Sequence, residues 1–237
     1  MGIRRGPNIV RDGLVFAVDA ANPSSFVSGS GVIWKDQTVN QNDGTLTNGP
    51  VFDSDGGGSI DFDGSDDYIE YGSITSSHPM SFYNITNMTL EVWVSPKATG
   101  DPWQRIIDKS NSGNGTNGFT LFLGDSPNST KRIGFIVNQS YPIDVYGDNY
   151  SHDVWNHIVI TKNSSTWKLY VNGILISTNT NTTTFPSTTT NMRIGSWNHT
   201  TGREFKGNIS TISAYHTTLT SSEVLQNYNA LKGRFGL

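Results

Sequence analysis

Hydrophobic and polar residues alternate with a period of two along much of this chain, which is typical of β-strands that bury one face. Leu14, Phe16 and Val18 would share the buried face of a first strand, and residues 88–95 give the most regular alternation. No segment alternates strands with helices. The pattern therefore predicts an all-β fold, a two-sheet antiparallel β-sandwich built from roughly a dozen short strands.

A hairpin is predicted where Asn172-Gly173 lies between two alternating segments, 167–171 and 174–176. Asn-Gly tolerates positive φ at both central positions of a type I′ turn, which is the turn that fits the twist of paired strands. We therefore expect the two segments to pair directly across this dipeptide.

One short helix is expected near the C-terminus. Thr220 and Glu223 have the spacing of a capping box, in which each side chain bonds the backbone of the other residue. Gly233 is placed to end the helix. The apolar residues that follow the cap at helical spacing are Val224, Leu225, Tyr228 and Leu231.

An acidic segment, residues 59–71, carries the most distinctive candidate chemistry. Alternation on both sides of Asp63-Gly64 predicts two half-buried strands joined as a hairpin. The segment departs from a calcium-binding EF-hand because its glycine is fourth instead of sixth and no helices flank it. Turn structure is favoured and no cofactor is required. The alternative is a structural Ca²⁺, with the candidate ligands Asp19, Asp63, Asp66 and Asp67.

Composition excludes several function classes. The chain of 237 residues has a formal net charge of -4, which argues against a nucleic-acid-binding surface. It contains no Cys, and its five His residues show no zinc-site spacing. No apolar run reaches the roughly 18 residues of a membrane span, and no signal peptide is expected. Residues 113–118 match a dinucleotide-binding glycine pattern, but a strand-like segment follows, so a loop is predicted.

Enzymatic hydrolysis of glycosides is not expected. A retaining glycosidase needs two carboxylates about 5 Å apart. Glu91 is the only acidic residue at its strand position, because Trp93 and Ser95 hold the next positions on the same face. One carboxylate cannot act as both acid and nucleophile, so the chain is predicted not to be an enzyme.

Aromatic residues in loop-like segments indicate a glycan-binding surface. Any one of them is more often packed than exposed, but together they offer several rings for stacking on sugars. The candidate glycan-binding residues are Trp103, Tyr146 and Trp197.

The N-terminal residues 1–12 are basic within an acidic chain, through Arg4, Arg5 and Arg11. They are interpreted either as a solvated terminus or as an arm that anchors the domain to a larger assembly.

A series of segments resembles concanavalin A-like jelly-roll domains of the laminin-G-like type, in order and spacing, from residue 13 to about residue 230. These segments are 13–20, 62–69, 89–93, 155–159, 169–173, 193–195 and 205–209. The resemblance implies two stacked antiparallel sheets. Domains of this type include lectins, glucanases, adhesion modules and structural domains, so the resemblance does not imply one function. The C-terminal residues 223–237 resemble copies of this domain encoded by tailed bacteriophages.

The chain is accordingly divided into a basic N-terminal arm (1–12), a laminin-G-like jelly-roll domain (13–232) and a C-terminal tail (233–237). The first hypothesis is a non-enzymatic bacteriophage virion surface protein, either a capsid decoration or a tail- or fibre-associated subunit, with weak glycan adhesion. Expected partners are capsid, neck or tail subunits and host or environmental glycans, and homo-oligomerisation is left open. The alternatives are a carbohydrate-binding lectin-like domain of a cell-surface or secreted protein, and a glycoside hydrolase.

Overall fold

The computed structural model describes residues 7–28, 31–99, 101–125, 130–198 and 202–237. Within these ranges the chain is dominated by strands, with one α-helix, α1 (Ser221–Leu231), and three short 3-10 turns at Asp55–Gly57, Pro79–Ser81 and Lys232–Phe235. In chain order the strands are β1 (Leu14–Asp19), β2 (Ile33–Trp34), β3 (Gly44–Thr47), β4 (Val51–Asp53), β5 (Ser59–Asp63), β6 (Tyr68–Ile74), β7 (Asn87–Pro96), β8 (Gln104–Lys109), β9 (Phe119–Gly124), β10 (Arg132–Val137), β11 (Ser140–Tyr146), β12 (Asn156–Asn163), β13 (Thr166–Val171), β14 (Ile174–Thr180), β15 (Thr190–Ile194) and β16 (Lys206–Tyr215).

The strands form two eight-stranded antiparallel sheets. Sheet A has the order β14-β13-β12-β7-β16-β5-β4, and sheet B has the order β11-β10-β9-β8-β15-β6-β3-β2. Strand β16 is long enough to pair with β5 through residues 206–209 and with β1 through residues 211–215, on the same edge. The predicted antiparallel sandwich is therefore confirmed.

The core lies between the two sheets, where the apolar positions of the period-two pattern meet. Leu90 and Val92 of sheet A belong to the same buried cluster as Leu121 of sheet B. The ring of Phe135 from sheet B lies 5.9 Å from that of Trp167 in sheet A. Each large apolar side chain buried in this way stabilises the fold by roughly 1.5–3 kcal/mol.

Part of the outer face of sheet A is covered by α1 and the C-terminal residues. The capping box is confirmed, since Thr220 Oγ1 accepts from the Glu223 amide at 3.3 Å and Glu223 Oε2 accepts from the Thr220 amide at 2.8 Å. Of the predicted apolar residues of the helix, Val224 is fully buried but Leu225 is 45% exposed. Asn227 is also fully buried, which the sequence pattern did not predict.

Both described ends of the chain pack against this covered side. The predicted tail, residues 233–237, stacks Phe235 on Trp93 with ring centroids 4.1 Å apart. Arg234 forms an ion pair with Asp19 at 2.8 Å and donates to the carbonyls of Gly56 and Gly58. At the other end, the Val10 amide donates to Asn227 Oδ1 at 2.7 Å.

The Asn-Gly hairpin is confirmed. Val171 pairs with Ile174, and the residues between them have positive φ values of 50° at Asn172 and 78° at Gly173. Glycine has no Cβ to strain this conformation, and asparagine tolerates it better than most residues.

The predicted hairpin in the acidic segment is wrong. Strand β5 pairs with β4 and β16 in sheet A, whereas β6 pairs with β3 and β15 in sheet B. The turn between them therefore crosses from one sheet to the other. Phe62 and Ile69 both point into the core from opposite sheets, so their burial is the same as a hairpin would require.

Candidate functional site

The three predicted glycan-binding aromatics lie around one surface, the outer face of sheet B. Trp103 immediately precedes β8, Tyr146 ends β11, and Trp197 follows β15. Tyr146 is 58% exposed, and the two tryptophans are partly exposed. Rings at the surface of a sheet can stack on a sugar, so their placement decides whether they can act together.

Arg132 of β10 connects Tyr146 to Trp103. Its guanidinium carbon lies 4.8 Å from the centre of the Tyr146 ring and 4.5 Å from that of Trp103. The strand register brings this about, because Arg132 is paired directly with Tyr146. Asp144 holds the guanidinium with two contacts, at 2.5 Å from Nε and 3.0 Å from Nη2. Such a fork is rigid and presents the neighbouring rings in a fixed geometry.

Arg203 connects Trp103 to Trp197. Its guanidinium carbon lies 4.2 Å from the Trp197 ring and 5.7 Å from the Trp103 ring, and its Nη1 donates to the Gly113 carbonyl at 3.0 Å. Arg193 extends the series, since it donates to the Trp197 carbonyl at 3.5 Å.

Arg193 also lies over the ring of Tyr68 at 4.0 Å and pairs with Glu70 at 3.0 Å. These contacts join residues from five strands or their ends into one surface, here named the aromatic–arginine row. Its members are Tyr146, Arg132, Trp103, Arg203, Trp197, Arg193 and Tyr68.

The floor beneath Trp103 is the ring of Phe122, 5.0 Å away between centroids. Phe122 can lie flat on the sheet because its paired residue on β10 is Gly134. A Cβ atom at Gly134 would come within 2.1 Å of the Phe122 ring. The absence of a side chain at Gly134 therefore lets Phe122 lie close to the sheet, and Trp103 and Arg132 pack on its ring.

A buried ion pair lies under the centre of the row. Arg105 and Asp108 are both 0% exposed, with Nε and Oδ2 3.6 Å apart. Arg105 also donates to the Gly113 carbonyl at 2.7 Å. Burial lowers the pKa of Arg105 to about 10 and raises the pKa of Asp108 to about 6. The two opposite charges balance each other, so the pair supports the row from below without adding net charge.

The aromatic–arginine row suits a polyhydroxylated ligand. Ring faces can cover the apolar C–H face of a sugar, while guanidinium N–H groups donate to hydroxyl oxygens. The arginines were not among the predicted site residues. A signal for Arg132 was present, because it alternates with the core residues Ile133 and Phe135 and so had to face outward.

The three acidic residues of the sheet-crossing turn come together, and the fourth predicted metal ligand does not. One carboxylate oxygen each of Asp63, Asp66 and Asp67 lie within 4.8 Å of one another. Asp19 instead pairs with Arg234. The turn also uses these carboxylates directly, since Ser65 donates its amide to Asp63 at 2.7 Å.

Within this group the pKa values of Asp63 and Asp67 are shifted in opposite directions. Backbone donation from Ser65 lowers the pKa of Asp63, whereas burial raises the pKa of Asp67. Oxygen ligands of this kind fit a hard cation. Calcium binding at this turn stays a prediction, and a melting temperature that does not respond to added Ca²⁺ would count against it.

Glu91 is enclosed on the opposite side of the molecule, below α1. The residue is 2% exposed; Asn227 Nδ2 donates to its Oε2 at 2.7 Å, and His157 Nε2 lies 3.0 Å from its Oε1. It also borders a cavity of about 310 Å³ whose lining includes Arg11 and Asp19. The carboxylate is therefore already engaged by protein groups.

The predicted arm is only partly within the described ranges. Arg11 is exposed, and Arg4 and Arg5 lie outside the described residues. Across the described ranges, no helix is long and apolar enough to cross a membrane.

Solved structures with a similar fold include a domain of an arabinanase, a sialidase and a toxin binding domain. Domain 4 of AbnA, a GH43 extracellular arabinanase from Geobacillus stearothermophilus in complex with arabinotriose, superposes with a TM-score of 0.66 at 15% identity and covers 92% of this chain and 100% of its own. A Trypanosoma rangeli sialidase in complex with sialic acid gives 0.68 at 16% identity, over 97% of this chain and 35% of the sialidase. The botulinum neurotoxin serotype D binding domain gives 0.66 at 12% identity, over 92% of this chain and 51% of that structure.

These identities show a shared fold alone, and the chain spans only about a third of the sialidase and half of the neurotoxin structure. No curated protein matches the chain in sequence. A family model does match, over residues 63–225, which is more than half of the chain. The chain belongs to the concanavalin A-like lectin/glucanase superfamily.

Proposed function

We propose that this chain is a non-enzymatic carbohydrate-binding domain that stacks sugar rings on its aromatic–arginine row. The observation that carries the proposal is the convergence of Trp103, Trp197 and Tyr146 on one partly exposed surface, joined by Arg132 and Arg203. A similar fold in complex with arabinotriose supports it, because that domain is of comparable length. Part of the outer face of sheet A is covered by α1 and the C-terminal residues, whereas the row on sheet B is partly exposed.

Trp103→Ala should remove most of the glycan affinity without unfolding the domain. The ring contacts both arginines at the middle of the row, so its loss separates the two halves. One stacked ring contributes about 0.5–1.5 kcal/mol, and the lost positioning of two arginines should bring the decrease in affinity to roughly tenfold. A glycan array identifies ligands, and titration calorimetry then measures the affinities of the wild type and the variant.

The matched control is Tyr83→Ala, which removes a partly exposed ring outside the row. It should leave glycan affinity unchanged. Silence of the wild-type protein across the array at high concentration would contradict the proposal. An equal loss of glycan affinity in both variants would also contradict it, because the row would then not be the binding surface.

The enclosure of Glu91 supports a binding role over hydrolysis. We expect no release of reducing sugars from any glycan that the protein binds. Hydrolysis that disappears in Glu91→Gln would instead favour the glycoside hydrolase alternative, since this carboxylate would have to reach substrate despite its contacts with Asn227 and His157.

We also propose that the domain lies on a bacteriophage virion surface, as a capsid decoration or a tail- or fibre-associated subunit. The support is the resemblance of residues 223–237 to phage-encoded copies and the cysteine-free composition. The alternative placement is a cell-surface or secreted protein.

Removal of residues 1–6 should prevent incorporation into particles while the melting temperature stays unchanged. This truncation deletes Arg4 and Arg5 but keeps Val10, whose amide bonds Asn227 and belongs to the fold. Incorporation is measured by the amount of the truncated protein in purified particles relative to the full chain. Undiminished incorporation would contradict an anchoring role for the arm.

A further inference from the structure

Arg203 differs from the other arginines of the outer face of sheet B because it has no carboxylate partner. Among the described residues, no Asp or Glu oxygen lies within 4.0 Å of its guanidinium nitrogens. The neighbouring arginines are each paired, in Arg132–Asp144, Arg193–Glu70 and Arg105–Asp108. The two ends of the row are therefore neutralised, and its centre is not.

The position of Arg203 is fixed by a glycine. A Cβ atom at Gly113 would lie 2.4 Å from Nη1 and 2.8 Å from Nη2, so the absence of a side chain there lets the guanidinium approach the backbone. The Trp197 ring holds its other side at 4.2 Å. Only Nη1 donates to Gly113, and a guanidinium carries five N–H donors, so further donors remain on this partly exposed side chain.

A second guanidinium, that of Arg105, shares the Gly113 carbonyl with Arg203. Arg105 is fully buried, and its Nε and Nη1 make no hydrogen bond in the described part of the chain. Its counter-charge, Asp108, is 3.6 Å away. Asp101 lies near enough for Arg203 to lower its pKa, although burial raises that pKa more strongly. Because Asp108 balances Arg105, the charge that is not paired within 4.0 Å at the centre of the row is that of Arg203, and it is this charge that favours an anion.

We infer that the row selects acidic glycans, with the carboxylate or sulfate of a sugar residue bound by Arg203 between Trp103 and Trp197. This inference rests on the proposed function and adds the class of ligand. An oxyanion can accept two parallel N–H bonds from a guanidinium, while the flanking indole rings cover the sugar rings on either side. A neutral sugar would stack on the same rings but leave the charge of Arg203 without a partner.

The test compares sugars that differ only in charge. Trigalacturonate and its methyl ester supply a carboxylate pair, and sulfated and unsulfated chondroitin oligosaccharides supply a sulfate pair. Calorimetry at low salt should show the acidic member of at least one pair binding about tenfold tighter. Which pair shows the difference identifies the oxyanion. The difference should shrink as NaCl is raised, because screening weakens the charge term and not the stacking.

Three variants assign the difference to Arg203. Arg203→Gln should abolish the acidic preference, so that the acidic and the neutral member of each pair bind the variant with equal affinity. Gly113→Ala keeps the charge but displaces the guanidinium, and should reduce the preference as well. Lys168→Gln removes the same charge from a residue of sheet A and should change nothing. Melting temperatures confirm that each variant is folded.

The outcomes separate this inference from the proposed function. Equal affinity for both members of both pairs would overturn the acidic preference and leave glycan binding intact. A preference that survives in Arg203→Gln would overturn the assignment to this residue. Absence of binding to any of these sugars and to the glycan array would overturn the proposed function and the inference together.

Discussion

Asn227→Asp is expected to lower the free energy of unfolding by about 3–5 kcal/mol at neutral pH, the cost of a buried charge without a partner. Asn227 is fully buried and its amide nitrogen donates to Glu91 Oε2 at 2.7 Å. The substitution keeps the shape of the side chain and the oxygen that accepts from Val10 at 2.7 Å. It replaces the one donor to Glu91 on α1 with a second carboxylate. Urea unfolding followed by circular dichroism measures the loss.

The loss should depend on pH with a definite sign. Two carboxylates at this distance repel each other, so the folded variant binds one more proton than the unfolded chain near neutral pH. Stability from such a group is present at low pH and is lost as pH rises through the folded pKa. The deficit of the variant should therefore be smaller at pH 5 than at pH 7.5. His157 and the Tyr215 hydroxyl also face this group and are unchanged in the comparison.

Two further variants make this prediction specific. Adding Glu91→Gln to Asn227→Asp reverses donor and acceptor and should recover at least half of the lost stability. The control Ser222→Glu adds a carboxylate at an exposed position of the same helix and should change stability by less than about 0.5 kcal/mol. An Asn227→Asp protein as stable as the wild type at neutral pH would show that Glu91 does not need this donor.

Truncation after Lys232 is expected to destabilise the domain by about 5 kcal/mol, because removing a buried phenylalanine costs about 3–5 kcal/mol and an ion pair is lost with it. Phe235 lies against Trp93 at 4.1 Å and Trp155 at 4.7 Å between ring centroids. Arg234 bonds Asp19 at 2.8 Å. The melting temperature should fall by roughly 10–20 °C. Tryptophan emission should shift to longer wavelength as the two indoles gain contact with water.

The matched control for this truncation removes only Gly236 and Leu237. Leu237 is 46% exposed, so this shorter deletion should change the melting temperature by no more than a few degrees. Phe235→Ala and Arg234→Gln then divide the effect between ring stacking and the ion pair. If the domain truncated after Lys232 has the same melting temperature as the full chain, the C-terminal turn is dispensable for the fold.

The strand β7 was predictable because its two faces differ in character. Leu90 and Val92 face the core between the sheets, whereas Glu91 and Trp93 lie on the other face, where α1 and the C-terminal residues bury them. The cap at Thr220 and the turn at Asn172-Gly173 were also predictable, since both depend on residues close in sequence. By contrast, β3, β4 and β11 were not assigned, because they are short or polar and take their conformation from neighbouring strands.

The error in the acidic segment has a physical reason. Alternation reports which side chains are buried, and Phe62 and Ile69 are buried whether their strands pair with each other or face each other across the core. Only the hydrogen-bond partners distinguish these cases, and those lie far away in sequence. The aromatic–arginine row could not be predicted for the same reason. Trp103, Tyr146 and Trp197 could be suspected singly, but their connection through Arg132 and Arg203 depends on strand register.

The placement of the two described ends has a consequence for how the domain would be presented. Val10 and Phe235 both lie against the outer face of sheet A, whereas the aromatic–arginine row lies on the outer face of sheet B. A scaffold joined through either end would therefore display the row away from the point of attachment. Several copies fixed side by side would offer parallel sugar sites, and contacts that are weak one at a time would combine into avidity.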